Sequence, residues 1–258
     1  MKIIHIANFY GPKSGGIKTT LHNLGIEYSK LGYEFIYMVP GTKFSREKTQ
    51  YGGCITMPSW KIPFSGGYRV IRSNRRIKEL VLSLQPDRVE VSDRFTLSGI
   101  GKWAKRRGIP VIVFSHETLK GLIKNYFGLS LKMFVKWHNL RLASRFDYVV
   151  TTTHFAQSEF REISAPNVVR IPLGVDLNIF SPTKFNPKIR QQLLKSGEFL
   201  LIHCGRLSPE KKPERSLELL RELLKRGVNA RLVYIGSGPL HRKMYASSRD
   251  IPVTFWGY

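Results

Sequence analysis

The sequence predicts an α/β protein built on parallel, doubly wound sheets, and three observations carry that reading. Short runs rich in Ile, Val and Phe alternate with segments of helical periodicity almost from end to end, the rhythm of a parallel sheet whose crossovers are helices. The first run, "KIIHIA" at 2–7, is nearly continuous in apolar residues, as a strand covered on both faces must be. The same rhythm starts afresh near residue 199, after a stretch with three prolines and no strong periodicity. A second unit of the same kind is therefore expected.

Taken in order, Leu21, Leu24, Tyr28 and Leu31 mark one helical face, with Gly32 as its C-terminal cap. "EFIYMV" (34–39) is the next strand. Ile77, Leu80, Val81 and Leu84 mark a helix that ends before Pro86 and feeds "RVEV" (88–91). A helix near 95–107 leads to "PVIVF" (110–114), and a long, partly aromatic segment (118–144) leads to "DYVVTT" (147–152). A short helix (154–163) and "VVRI" (168–171) complete a first domain over 1–172. Residues 173–198 read as a linker. The second domain, 199–258, holds "FLLIHC" (199–204), a helix with Leu217, Leu220, Leu223 and Leu224, "ARLVYIG" (230–236), a short basic helix and "VTFW" (253–256). Its last strand has no following helix to cover it, so the expectation is a second domain shortened relative to its fold.

Composition narrows the partners. The 258 residues include 42 Lys and Arg against 18 Asp and Glu, a net charge of +24. Such a field favours nucleic acid, acidic lipid headgroups or phosphorylated small molecules, and charge alone does not choose among them. Two cysteines, Cys54 and Cys204, offer neither a disulfide framework nor a zinc-type cluster, which fits a reducing cytoplasm. The N-terminal apolar stretch breaks at Gly11-Pro12, too soon for a signal peptide. No stretch approaches the roughly 18 apolar residues of a membrane span, so any meeting with a membrane is expected at its surface.

Both units open with a strand, a glycine-bearing loop and a helix. In "GPKSGGIKTT" (11–20), Gly15 and Gly16 stand just before the helix, where small residues let backbone N–H groups approach an anion. A tight turn without a ligand needs similar glycines, and the spacing fits neither the dinucleotide fingerprint nor a P-loop. In "HCGRLSPEKKPERSLELL" (203–220), Arg206 can fork onto phosphate oxygens and Lys211 or Lys212 can add a point charge. The plain alternative is a solvated charge cluster at a helix start. A third loop, "IGSGP" (235–239), repeats the pattern. "VIVFSHETL" (111–119) sets His116 directly after a strand, either as a proton or hydrogen-bond partner at the sheet rim or as a structural histidine. The other histidines, His5, His22, His138, His154, His203 and His241, show no metal-ligand spacing, and no nucleophile elbow is present. The segment 120–146 mixes Lys and Arg with Leu, Phe, Met and Trp. It reads either as an interfacial helix pair over anionic lipid or as a core helix whose lysines face water.

The Gly-Gly loop, "FSHETL" (114–119), "SDRFTL" (92–97), "IPLGVD" (171–176), "GRLSPEKKPE" (205–214) and "GSGP" (236–239) together resemble the family-four retaining glycosyltransferases. Within them the similarity is to actinobacterial GDP-mannose-dependent α-mannosyltransferases acting on lipid acceptors. The resemblance implies the GT-B architecture of two Rossmann-like domains. It also implies retaining transfer of a hexose, mannose from GDP-mannose, to a membrane lipid or glycolipid, with no metal and no cofactor beyond the nucleotide-sugar substrate. Arg206 and Lys211 match the family's diphosphate-binding pair, with Lys212 able to share the task. Gly15 and Gly16 match the loop that approaches the donor diphosphate and the acceptor, and His116 matches the active-site histidine beside the transferred sugar. Lys18, one turn into the first helix, is a candidate contact to an acidic acceptor headgroup. The implied place of work is the cytoplasmic face of the cell membrane, peripherally bound, with no nucleic acid as partner. The family also has a spaced pair of glutamates further into the second domain, beyond "VTFWGY" (253–258). The alternative is accordingly a catalytically inactive, truncated remnant that binds anionic membrane or a partner through its basic first domain.

Overall fold

The computed structural model describes residues 1–11, 15–63, 67–121, 123, 131–194 and 198–257. The chain divides into two units, Met1–Gly174 and Val175–Tyr258.

In the first unit the strands are β1 (Lys2–Ile6), β2 (Glu34–Gly41), β3 (Ser45–Thr49), β4 (Gly52–Lys61), β5 (Arg69–Ile71), β6 (Arg88–Val91), β7 (Val111–Ser115), β8 (Tyr148–Thr151) and β9 (Val168–Arg170). The helices are α1 (Gly16–Lys30), α2 (Asn74–Leu84), α3 (Ser98–Lys105), α4 (Lys132–Arg145) and α5 (His154–Arg161). Among the described residues the sheet order is β3-β4-β2-β1-β6-β7-β8-β9, with β5 on β4. Every pair from β2 through β1 to β9 is parallel. The order reverses at β1: β2 lies on one side and β6 on the other. Ligands of open α/β sheets bind outside the carboxyl ends of the strands at such a switch point.

Alternate residues of β1 enter two cores, because successive strand side chains point to opposite faces. Ile4 and Ile6 pack with Met38, Val89, Val91, Val113 and Ile77 of α2. Ile3 and Ala7 pack with Phe35, Tyr37 and Leu21 of α1. Each such aliphatic side chain, fully buried, stabilises the fold by roughly 1.5–3 kcal/mol. The strand therefore reads as a continuous apolar run because both faces are covered.

The helix ends follow local chemistry. Beyond α1, the N–H of Gly32 donates to Ser29 O (3.0 Å) and that of Tyr33 to Tyr28 O (2.9 Å), a Schellman pair that needs the left-handed φ of +73° at Gly32. Leu31 is not part of the buried face; it is the exposed cap residue. Ser73 caps α2 by accepting from Arg76 N–H, and Thr153 caps α5 by accepting from Ala156 N–H. Strands β3 to β5 are not foreseen in the sequence. β3 is mostly exposed and polar, and β4 carries two glycines and Pro58, so neither shows the strand pattern that propensity rewards. The reading of 120–146 falls partly on residues 122 and 124–130, which lie outside the described residues; α4 is its described helix.

The second unit begins at Val175, and the residues before its sheet carry a 3-10 turn at Pro182–Lys184 and the helix α6 (Pro187–Leu193). Its sheet is parallel, in the order β10 (Phe199–Cys204), β11 (Ala230–Ile235), β12 (Val253–Trp256). Helices α7 (Glu214–Lys225) and α8 (His241–Ala246) follow β10 and β11. Leu217 and Leu220 of α7 pack on Ala230, Leu232 and Tyr234.

Candidate functional site

At the switch point of the first sheet, polar side chains are buried where strands of this kind ordinarily hold only aliphatics. His5 of β1 and Glu90 of β6 are register partners on adjacent strands, and both are fully buried. His5 Nδ1 lies 2.9 Å from Glu90 Oε2. Glu90 also accepts from the Tyr28 hydroxyl at 2.9 Å and sits 2.7 Å from Arg88. Burial pushes the Glu90 carboxyl up, but the His5 ring, Arg88 and the Tyr28 hydroxyl outweigh it and hold it below the ordinary carboxylate range. On its other side the His5 ring reaches Ser92 Oγ at 2.8 Å through Nε2, and Ser92 Oγ is 3.2 Å from His116 Nε2.

His116 follows β7 directly and is half-buried. Burial first, and the facing His5 second, lower its pKa to about 4, so the ring is neutral at physiological pH. Its loop is clamped from below by Arg94, whose guanidinium donates to Glu117 O (2.9 Å), to Ser115 Oγ (3.1 Å) and to Asn139 Oδ1. Glu159 lies 3.5 Å from Arg94 and accepts from the Leu119 and Lys120 N–H groups at 2.9 and 2.6 Å. Beside this clamp, Asn8 Nδ2 donates to Asp93 (2.9 Å) and to Thr96 (2.8 Å), while its Oδ1 accepts from Ile71 N–H (3.0 Å). Phe9, next in the chain, holds a φ of +60°, a strained conformation for a bulky residue and one that clusters at functional sites. The two stretches "SDRFTL" and "FSHETL" thus meet in one hydrogen-bonded network at the sheet rim.

Gly15 is the N-cap of α1 and Gly16 its first residue, both exposed. A Cβ at either would meet nothing within 4 Å among the described residues, and neither has a positive φ. Packing within the described chain does not account for glycine there. Lys18 lies in the first turns of α1; its charge, after burial, helps to lower the pKa of His22 one turn on.

In the second unit, Arg206 follows β10 and is half-buried, while Lys211 and Lys212 are exposed on the same loop. A 3-10 turn over Pro209–Lys211 and a left-handed Lys212 (φ +48°) bend the chain into α7, and the Tyr234 hydroxyl anchors the helix start by donating to Pro213 O at 2.6 Å. The "IGSGP" loop packs directly against this loop: Gly205 N–H donates to Ile235 O (2.9 Å) and Leu207 N–H to Ser237 O (3.0 Å). Gly236 and Gly238 are dictated by that contact, since a Cβ would lie 2.2 Å from Gly205 O and 2.3 Å from Leu207 O respectively. The structure thus gathers Arg206, Lys211 and Lys212 on one loop, and His116, Gly15, Gly16 and Lys18 on the first unit.

His5, Glu90, Ser92 and Arg94 are not among the residues that the sequence singles out as functional. The available signal was a histidine and a glutamate each inside an otherwise apolar strand, since buried polar groups in such strands have hydrogen-bond partners. Among the described residues no group of three His, Cys, Asp or Glu could hold a metal ion, and no helix is long and apolar enough to cross a membrane.

The model of Glycosyltransferase Family 4 matches residues 14–179. Over the whole chain and 68% of the relative, the sequence is 39% identical to a GDP-mannose-dependent α-(1-6)-phosphatidylinositol dimannoside mannosyltransferase of Mycobacterium tuberculosis. It is 23% identical to an α-monoglucosyldiacylglycerol synthase of Streptococcus pneumoniae, over 98% of this chain and 59% of that protein. Among solved structures, Anabaena HepE in complex with UDP and glucose superposes with a TM-score of 0.68 at 19% identity, covering 100% of this chain and 69% of that one. Sucrose-phosphate synthase of Thermosynechococcus elongatus gives 0.72 at 16% identity, over 99% and 70%. These likenesses give the fold as GT-B. The matched family model and the full-length similarity at 39% identity carry the further step: this chain belongs to glycosyltransferase family 4.

Proposed function

We propose that this chain is a mannosyltransferase that moves mannose from GDP-mannose, with retention at the anomeric carbon, to a phosphatidylinositol-type glycolipid on an anionic membrane surface. The observation that carries the reading is the 39% identity along the entire chain to a phosphatidylinositol dimannoside mannosyltransferase that uses this donor. In this reading Arg206, Lys211 and Lys212 neutralise the charge that grows on the departing diphosphate as the anomeric C–O bond breaks, a preorganised electrostatic role. Gly15 and Gly16 let the start of α1 approach the donor. His116, kept neutral, contacts the transferred sugar, and Lys18 contacts the acidic acceptor headgroup.

The exposed face of α4 supports the membrane part. Met133, Phe134, Trp137 and Leu140 are 80%, 45%, 54% and 52% exposed, while Val135, Asn139 and Leu142 form the buried side. Lys132, Lys136, Arg141 and Arg145 rim the apolar stripe, and the helix holds no acidic residue. Apolar and aromatic side chains with cations around them are the composition of a helix lying in an anionic lipid interface. A groove of about 280 Å³ beside it is lined by Phe95, Trp137, Arg141 and Arg145 among others.

Calorimetric titration with GDP-mannose, with UDP-glucose as the control nucleotide sugar, tests the reading. Saturable binding of GDP-mannose, together with transfer of labelled mannose to phosphatidylinositol mannoside in vesicles, is expected. A folded chain that stays calorimetrically silent at millimolar GDP-mannose would sink it in favour of a non-catalytic, membrane-binding protein.

A further inference from the structure

The four-membered chain Glu90, His5, Ser92, His116 has a property that its distances impose. Glu90 is an ionised carboxylate, which only accepts hydrogen bonds, so the proton between it and His5 sits on His5 Nδ1. The Ser92 hydroxyl then lies between two ring nitrogens, His5 Nε2 at 2.8 Å and His116 Nε2 at 3.2 Å. It has one proton to give. If both nitrogens were bare, one of them would be an acceptor with no donor. If both carried protons, the hydroxyl proton would need a third acceptor, and Ser92 Oγ has none among the described residues. Ser92 is 3% exposed and His5 fully buried, so water does not cheaply make up a deficit at either of these two groups.

We propose that His5 is a positioning residue that, through the Ser92 hydroxyl, sets which nitrogen of His116 carries its proton. When His5 Nε2 is protonated, Ser92 accepts from it and donates to His116 Nε2, leaving the His116 proton on Nδ1. When His5 Nε2 is bare, Ser92 donates inward and His116 must donate through Nε2, leaving Nδ1 bare. One proton on a fully buried ring therefore converts the second nitrogen of a half-buried ring from hydrogen-bond acceptor to donor. Because burial and the facing His5 keep His116 neutral down to about pH 4, the exchange is between two neutral tautomers.

The groups around His5 fix the orientation of its ring. Glu90 faces it from β6, with Arg88 and the α1 residue Tyr28 behind the carboxylate. The rings of Phe35 and Phe114 enclose it at centroid distances of 6.3 and 5.3 Å, and Ser92 and His116 complete the shell. Its consequence for catalysis rests on the proposed function, in which His116 contacts the transferred sugar: a sugar hydroxyl would meet an acceptor in one state and a donor in the other.

The test is long-range 1H–15N correlation of the imidazole nitrogens in the uniformly labelled full chain without nucleotide, with His5→Gln and His116→Gln spectra to assign the two rings. At every pH above the His116 transition, one and only one of the two Nε2 atoms is expected to be bare, in the wild type and in Ser92→Thr, which keeps a hydroxyl. In Ser92→Ala the His116 ring is expected to become a tautomer mixture that no longer follows His5. Wild-type rings with both Nε2 atoms bare or both protonated would overturn the proposal without any variant having to fold. So would a folded Ser92→Ala that keeps the wild-type pattern. Failure of GDP-mannose to bind would remove the proposed function and leave this coupling standing, so the two ideas fail separately.

Discussion

Gly236 lies against the carbonyl of Gly205 so closely that a Cβ on it would sit 2.2 Å from that oxygen, and its φ of +134° is one that side-chain-bearing residues rarely adopt. The contact locks the loop after β11 onto the loop that carries Arg206. Gly236→Ala is therefore expected to lose the ~1–3 kcal/mol of an unfavourable backbone region and to disrupt the loop contact as well. Gly15→Ala meets no such obstacle and should leave stability within about 0.5 kcal/mol. Urea melts of the two variants check the contrast; equal stabilities would count against it.

Arg94 and Glu159 are 5% and 4% exposed and form a buried ion pair that holds the His116 loop. Removing one partner strands the other charge, at a cost of about 3–5 kcal/mol. Arg94→Met and Glu159→Gln should each fall in that range. The double variant should be less damaging than the sum of the singles, since it leaves no buried charge. A double-mutant cycle by chemical denaturation measures the coupling.

Acid should weaken the first unit in two ways. His116 has a folded pKa of about 4 against about 6.5 unfolded. Its contribution is present above about pH 6.5 and is lost as pH falls towards 4, because the unfolded ring takes up its proton first; the difference is on the order of 3 kcal/mol. The Glu90 pKa is lowered, so its contribution is present above the unfolded carboxylate pKa and lost as pH falls through the folded value. Unfolding free energy measured against pH should therefore drop from mildly acidic pH downward, and His116→Gln should flatten the upper part of that drop.

Binding to vesicles should follow α4. Trp137→Ala and Met133→Ser remove exposed apolar side chains and should weaken attachment to vesicles containing phosphatidylglycerol without lowering the melting temperature. Paired Lys136→Glu and Arg141→Glu changes should weaken it further at low salt and less at high salt, since screening shortens the reach of the charges. Co-sedimentation with and without anionic lipid reads both effects.

Donor affinity should follow the loop after β10. A charged hydrogen bond is worth about 1.5–3 kcal/mol, so Arg206→Ala should weaken GDP-mannose binding by roughly tenfold to a hundredfold. Lys211→Ala and Lys212→Ala should each weaken it less, and the larger of the two effects identifies the main diphosphate contact. Calorimetric titration of the three variants distinguishes them.

Local patterns were legible to different degrees for physical reasons. The run "KIIHIA" announces a strand buried on both faces because its apolar content is itself the consequence of that burial. Gly32 announces a helix end because the left-handed turn is a local backbone requirement, met at φ +73°. Strands β3 to β5 were silent. Their place is owed to pairing with β2 and β4, and an exposed polar edge such as β3, or a strand interrupted by glycine and proline such as β4, has little strand composition of its own.

By itself the sequence determined the alternation of strands and helices, the three glycine-bearing loops, the cations at Arg206, Lys211 and Lys212, and His116 at the end of a strand. These are local, since each is written in neighbouring residues. Only the tertiary structure decided what His5 and Glu90 do. They stand 85 positions apart in the chain, and it is the parallel register of β1 on β6 that sets them side by side and brings Ser92 between His5 and His116. A hydrogen-bonded relay is a relation among residues in or just beyond three strands, β1, β6 and β7, and no stretch of one strand contains it.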